Sequence, residues 1–110
     1  MNWGEIYRTR DRISERGDKP GFYVIVSRDF IAGSDDISTV VCAPVYGTIL
    51  GLNTEVAIGP NEGVPRESSI RCDFLTLLFK SKLTTFVATL PEPKQRELKR
   101  ALLHSLQLDR

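Results

Sequence analysis

From residue 4 to residue 90 the chain is a succession of short β-branched or alternating segments, and none of the intervals between them holds a crossover helix. Parallel strands need a connection of a dozen or more residues, usually helical. The spacing therefore argues against a doubly wound parallel sheet. "GEIYRT" is a first strand candidate. "FYVIVS" and "STVVCAPV" are rich in β-branched residues, bounded by turn formers and expected to be buried, with room for one helical turn in "RDFIAGSDD" between them. "TEVAI" alternates and precedes the turn-rich "GPNEGVPRE". "SSIRCDF", "LTLLFK" and "TTFVATL" complete six or seven strands. The pattern then changes. Leu98, Ala101, Leu102 and Leu106 form the stripe of one amphipathic helix. Thr89 with Glu92 fits a capping box, and Pro91 or Pro93 suits a first turn. Many short strands with one terminal helix imply a mostly β fold, a small, strongly curved sheet or barrel. At 110 residues one domain over 1–110 is expected.

A chain of this size buries about 65% of its unfolded surface and folds without staples. Hydrophobic residues at 41% and charged residues at 26% are ordinary for a globular protein. The net charge is only +1, so nucleic-acid binding has to rest on local clusters. The polar start "MNWGEIYRTRDR" holds no apolar leader, and no run approaches the ~20 apolar residues of a membrane span. Cys42 and Cys72 each lie in a strand-like apolar run and read as buried, reduced thiols. A cytoplasmic protein without membrane contact is expected.

"SIRCDFLT", residues 69 to 76, sets an arginine and an aspartate two apart within an apolar run. In a strand, Ile70, Cys72 and Phe74 share one face, and Arg71 and Asp73 share the other with roughly 6.6 Å of rise between them. That gap is about the size of one phosphate. On spacing alone an exposed ion pair explains the same residues.

Glycine-rich phosphate loops, Cys-x-x-Cys pairs, His-rich metal spacing and Gly-x-Ser-x-Gly elbows are absent from the sequence. The single histidine, His104, falls on the terminal helix and reads as a partly exposed helix residue. Any catalysis is left to Asp, Glu, Arg, Lys, Tyr and hydroxyl groups, which suit proton transfer and anion stabilisation without a metal or cofactor. The first loop gathers Arg8, Arg10, Arg12, Arg16 and Lys19 against Asp11, Glu15 and Asp18, a local cluster able to track phosphates. Lys19 precedes Pro20, which restricts it to extended backbone. Tyr46 and Gly47 close the strand "STVVCAPV", at the kind of strand end where small barrels place their sites.

These blocks resemble the MazF/PemK (Kid) toxins of type II toxin–antitoxin systems over essentially the whole chain. "WGEIY" is similar to that family's "RGEIW" first strand, and "GDKPGFYVIVSRDF" to its Gly-x-Arg-Pro followed by a hydrophobic strand. "VVCAPVYG" is similar to "VVVPVTS", "VPRESSIRCDFLTLLFKSKL" to "GLPRDSVVRCDQIRTIDKSRL", and the helix after "LPEP" falls where the family's "LSPE" helix lies. The resemblance implies a homodimeric SH3-like barrel that cleaves single-stranded RNA at short motifs without a metal. It also implies inhibition by a cognate MazE/PemI-like antitoxin.

Carried over position by position, the family's catalytic set falls on Arg71, Asp73, Lys19, Tyr46 and Glu15. Ser14, Arg12, Arg16, Thr48 and Thr76 are expected to bind substrate. Two positions depart from the pattern. Lys19 replaces an arginine and loses its planar fork, and Tyr46 replaces a threonine with a ring able to stack on a base. In the implied reaction the RNA 2′-hydroxyl attacks its own phosphorus to leave a 2′,3′-cyclic phosphate. Asp73 or Glu15 is the base, Arg71 stabilises charge, and Lys19 or Tyr46 protonates the leaving oxygen. The alternatives are a catalytically diverged RNA- or protein-binding barrel and a CcdB-like gyrase inhibitor built on the same barrel.

Overall fold

The computed structural model describes residues 1–10 and 21–109. Seven antiparallel strands run as β1 (Glu5–Thr9), β2 (Phe22–Ile25), β3 (Thr39–Tyr46), β4 (Glu55–Ile58), β5 (Ser68–Arg71), β6 (Thr76–Phe79) and β7 (Leu83–Thr89). The single turn α1 (Asp29–Ala32) lies between β2 and β3, and α2 (Glu92–Ser105) follows β7. The pairing order is β4-β5-β3-β2-β1-β7, with β6 also on β3. The sheet is barrel-like but open, since its path runs from β4 at one end to β7 at the other. Among the described residues no helix is long and apolar enough to cross a membrane.

The central strands are apolar on both faces because each face has its own core. Val24, Ala43 and Val45 join Ile6, Val56, Ile70, Cys72 and Leu90 beneath α2. Tyr23, Ile25, Val40 and Cys42 point the other way, onto Ala32, Leu78 and Leu83. A strand buried on both faces reads as a continuous hydrophobic run, which is why "FYVI" and "TVVCAPV" lack alternation.

β3 is shared along one edge. Its first half, Thr39–Cys42, pairs with β6, and Val45 and Tyr46 pair with Ile70 and Ser69 of β5. Ala43 and Pro44 fall between the two registers, a place where a residue without an N–H breaks no ladder. Six residue steps separate Ile70 from Thr76, but only three separate their partners Val45 and Cys42. The surplus is taken up by a three-residue 3₁₀ turn, Cys72–Phe74, acting like an enlarged β-bulge. The strand expected over "SSIRCDF" therefore stops at Arg71. Ile70 and Cys72 are fully buried as expected, whereas Phe74, expected on the same face, is 50% exposed.

The terminal helix differs from its sequence pattern at both ends. Thr89 closes β7 and forms no capping box with Glu92; Pro91 is the N-cap and makes no side-chain cap, while Pro93 sits in the first turn. The Gln95 side-chain Nε2 donates instead to the Leu90 carbonyl at 2.8 Å, and the prolines, which need no N–H partner there, complete the start. Leu98 and Ala101 are buried, Leu102 is half-buried, and Leu106 lies past the helix end, 52% exposed. Cys42 and Cys72 are buried free thiols, both pushed up to about 12 by burial, with Asp73 adding to the rise at Cys72.

Candidate functional site

The 3₁₀ turn after β5 converts an alternating pattern into a convergent one. Arg71 Nε donates to Asp73 Oδ1 at 2.9 Å and a terminal guanidinium nitrogen donates to Oδ2 at 2.6 Å. The phosphate-sized gap expected between them is therefore closed by a bidentate ion pair. The Arg71 side chain is only 11% exposed, and that of Asp73 is 29% exposed. The hydrogen bonds from Arg71 hold the Asp73 carboxyl below the usual carboxylate range, outweighing its partial desolvation. The same hydrogen bonds raise the Arg71 guanidinium further, against its own desolvation. Arg71 also lies over the ring of Phe74, with Cζ 4.5 Å from the centroid, and Phe74 meets Tyr46 edge-on at 5.9 Å. The arginine thus has a carboxylate along its fork and an aromatic face below it, an arrangement that fixes a planar cation.

On the neighbouring strand Glu55 stands opposite Arg71 in register. Its Oε2 accepts from Ser69 Oγ at 2.5 Å and from the Leu50 amide at 3.1 Å, and Oε1 accepts from the Leu52 amide at 2.7 Å. Desolvation pushes the Glu55 carboxyl up, but these hydrogen bonds and the Arg71 charge outweigh it and hold the group below its ordinary value. Sequence reasoning missed Glu55. Alternation in "TEVAI" marks it as a polar strand residue, but only the β4–β5 register brings it to Arg71.

A cleft of about 270 Å³ opens beside Tyr46, lined by Gly21, Phe22, Tyr46, Gly47, Arg66 and Ser68 among others. Arg8 lies 5.9 Å over the Phe22 ring. A Cβ on Gly47 would stand 3.2 Å from the Arg66 guanidinium, so glycine lets this exposed cation approach the backbone. Arg66 was also missed: it lies inside the block "VPRESSIRCDFLTLLFKSKL" but was not singled out there as a site residue. The two ends of the basic first loop meet next to this cleft. Buried Thr9 donates its amide to the Gly21 carbonyl at 2.9 Å, and its hydroxyl accepts the Gly21 amide at 2.9 Å.

Of the expected site residues, Arg71, Asp73 and Tyr46 are gathered around the Phe74 ring. Thr48 is exposed in the loop after β3, and Thr76 opens β6 half-buried opposite Cys42. Arg12, Ser14, Glu15, Arg16 and Lys19 lie outside the described residues. His104, on α2, pairs through Nδ1 with the Asp109 carboxylate beyond the helix end and shares a shallow cleft with Asn53, Glu55 and Arg100. Among the described residues no three His, Cys, Asp or Glu side chains gather as a metal-ligand set.

Several solved structures share the fold. A toxin of Mycobacterium tuberculosis, MazF-mt6, superposes with a TM-score of 0.80 at 21% identity, over 94% of this chain and 99% of its own. An endoribonuclease from a mycobacterial species, solved with its cognate antitoxin, gives a TM-score of 0.83 at 21% identity over 100% and 98%. A MazE–MazF complex from Deinococcus radiodurans gives 0.75 at 18% over 97% and 96%. Among curated protein sequences, none matches this chain. The family profile of the PemK-like, MazF-like toxins of type II toxin–antitoxin systems matches residues 3–106. With nearly the whole chain matched, the β fold, the terminal helix and the Arg71 turn belong to a member of that toxin family.

Proposed function

We propose that the protein is a sequence-specific, metal-independent endoribonuclease of the cytoplasm that cleaves single-stranded RNA and is restrained by a cognate antitoxin. The observation that carries this reading is the fixed, nearly buried Arg71 beside the exposed Phe74 ring and the half-buried Tyr46 ring, in a chain of the toxin family. The similar folds solved as endoribonucleases, one of them with its antitoxin, support it. A homodimer, as the family resemblance implies, belongs to the same reading.

In the proposed reaction the 2′-oxygen attacks the adjacent phosphorus, the bond from phosphorus to the 5′-oxygen breaks, and a 2′,3′-cyclic phosphate and a 5′-hydroxyl are left. The Arg71 guanidinium is too weak an acid to release a proton and supplies positive charge to the crowded phosphorane. Both Asp73 oxygens are engaged by Arg71, and a carboxylate held below its usual range is a weak proton acceptor. Asp73 is thus a positioning residue, and the base is assigned to Glu15. Lys19 or Tyr46 protonates the leaving 5′-oxygen. The Phe22–Tyr46–Arg66 cleft offers ring faces and a cation to an unstacked nucleotide, with Arg12, Ser14, Arg16, Thr48 and Thr76 completing the RNA contacts.

The test is a long unstructured RNA incubated with purified protein in EDTA, followed by end mapping. Discrete cuts that leave cyclic phosphate and 5′-hydroxyl termini, with a deoxy-substituted substrate left intact, are expected. RNA that is bound but uncut would reassign the protein as a non-catalytic binder.

A further inference from the structure

The loop between β3 and β4, residues 47–54, exposes three large apolar side chains, Ile49 at 49%, Leu50 at 57% and Leu52 at 45%. An exposed loop of this kind has no core to hold it, and Gly51 at its centre takes a φ of +78° with nothing within 4 Å of where a Cβ would be. Its base is tied by the Thr54 carbonyl, which accepts from the Cys72 amide at 2.9 Å, and its apolar stretch is held by one carboxylate. Glu55 accepts the amides of Leu50 and Leu52, one on each oxygen, and is itself fixed by the Ser69 hydroxyl and by its place opposite Arg71. The loop leaves β3 directly after Tyr46, whose ring touches Phe74 beneath Arg71. Both ends of the loop are therefore referenced to the same arginine.

We propose that Glu55 is a positioning residue that locks the 47–54 loop to the Arg71 turn, making Ile49, Leu50 and Leu52 the apolar surface that selects the nucleobases flanking the cleaved phosphate. This rests on the endoribonuclease reading and assigns sequence selection to a specific device within it. The faces of unstacked bases are apolar and sequence-tolerant partners, so selection depends on how rigidly the surface is set relative to the reacting phosphate. A shift of about 1 Å at such a distance from the chemistry costs on the order of a hundredfold in rate. A carboxylate that accepts from two loop amides and a strand hydroxyl is the group that prevents the shift.

The test compares wild type, Glu55→Ala and Gly51→Val on a long RNA with mapped cut sites, with amide exchange at Leu50 and Leu52 followed in parallel. Glu55→Ala is expected to speed exchange at both amides about tenfold or more. It should also lower the ratio of preferred to secondary cutting by a similar factor. Gly51→Val touches neither Glu55 nor Arg71 and forces a β-branched residue into left-handed backbone. It keeps the inference testable if Glu55→Ala fails to fold, and the same loss of preference is expected from it. Wild-type cut-site ratios in the folded variants would overturn the role of Glu55 and the loop. Intact RNA with the wild-type protein would instead overturn the nuclease reading itself.

Discussion

Ser105 Oγ, at the last residue of α2, donates to the Cys72 carbonyl at 2.6 Å, tying the terminal helix to the first residue of the turn that carries Asp73 and Phe74. The turn has no β partner of its own, so this bond and the Cys72 amide, which donates to the Thr54 carbonyl at 2.9 Å, are what anchor its start. Ser105→Ala is expected to cost about 1 kcal/mol, since it leaves a carbonyl in a partly buried place without that donor. The measure is the urea midpoint, with RNA cleavage read on the same samples. A stability loss without any change in cleavage would show that the turn keeps its geometry from the sheet alone.

Asp73 and Arg71 separate cleanly by mutation if one positions and the other stabilises charge. Arg71→Ala is expected to lower kcat about a hundredfold or more, the scale of losing a preorganised donor to a charged transition state. Asp73→Asn keeps the shape and part of the hydrogen bonding and is expected to cost about tenfold. It should leave the acid limb of the pH–rate profile where it is in wild type. If that limb disappears in Asp73→Asn, Asp73 is the general base and the assignment to Glu15 is wrong.

The same carboxylates predict how stability responds to acid. Asp73 and Glu55 both titrate lower in the folded protein than in the unfolded chain. The unfolded chain therefore takes up their protons first as pH falls. Their contribution is complete above the unfolded values, about 4, and is lost as pH falls through the folded values. Urea midpoints should hold from pH 7 to about 5 and then drop, and Asp73→Asn combined with Glu55→Gln should flatten that drop. A double variant whose midpoint falls in parallel with wild type would move the acid sensitivity to other groups.

The strands, the single helical turn and the terminal helix were legible because hydrophobic period and turn formers are local signals. "FYVI" and "STVVCAPV" announced burial through unbroken apolar runs, and Leu98 and Ala101 faced the core as their spacing required. The register surplus between β5 and β6 was not legible, because it depends on which β3 residues each strand meets. That surplus decides the site: it ends the strand at Arg71, turns Phe74 outward and closes Arg71 onto Asp73. Arg71 and Asp73 were read as two prongs around a phosphate, whereas the structure joins them in a single fork. Glu55 was invisible for the same reason, since it reaches Arg71 only through the β4–β5 register; Arg66 stood inside the resembling block, but its approach to Gly47 depends on packing between segments far apart in sequence.

The two thiols test the double core directly. Cys42 and Cys72 are fully buried and pushed up to about 12, so neither supplies thiolate at pH 8. Folded protein exposed to iodoacetamide should carry no alkylation by intact mass, and both sites should label together once urea passes the unfolding midpoint. Labelling of Cys72 alone in native conditions would mean that the Cys72–Phe74 turn opens without global unfolding.

Tyr46 carries the last open assignment, because its ring and its hydroxyl predict different kinetics. The ring meets Phe74 edge-on, next to Arg71, and this contact survives Tyr46→Phe and is lost in Tyr46→Ala. Base stacking on an aromatic side chain is worth about 1–3 kcal/mol. Tyr46→Ala is therefore expected to raise KM tenfold or more, while Tyr46→Phe keeps KM and kcat within about threefold of wild type. That pair of results makes Tyr46 a stacking platform and leaves Lys19 as the proton donor, so that Lys19→Ala should slow a substrate with a poor leaving group far more than one whose departing oxygen needs no proton. A Tyr46→Phe variant that keeps KM but loses about a hundredfold in kcat reverses the two roles, with the proton coming from the phenol and Lys19 acting as charge alone.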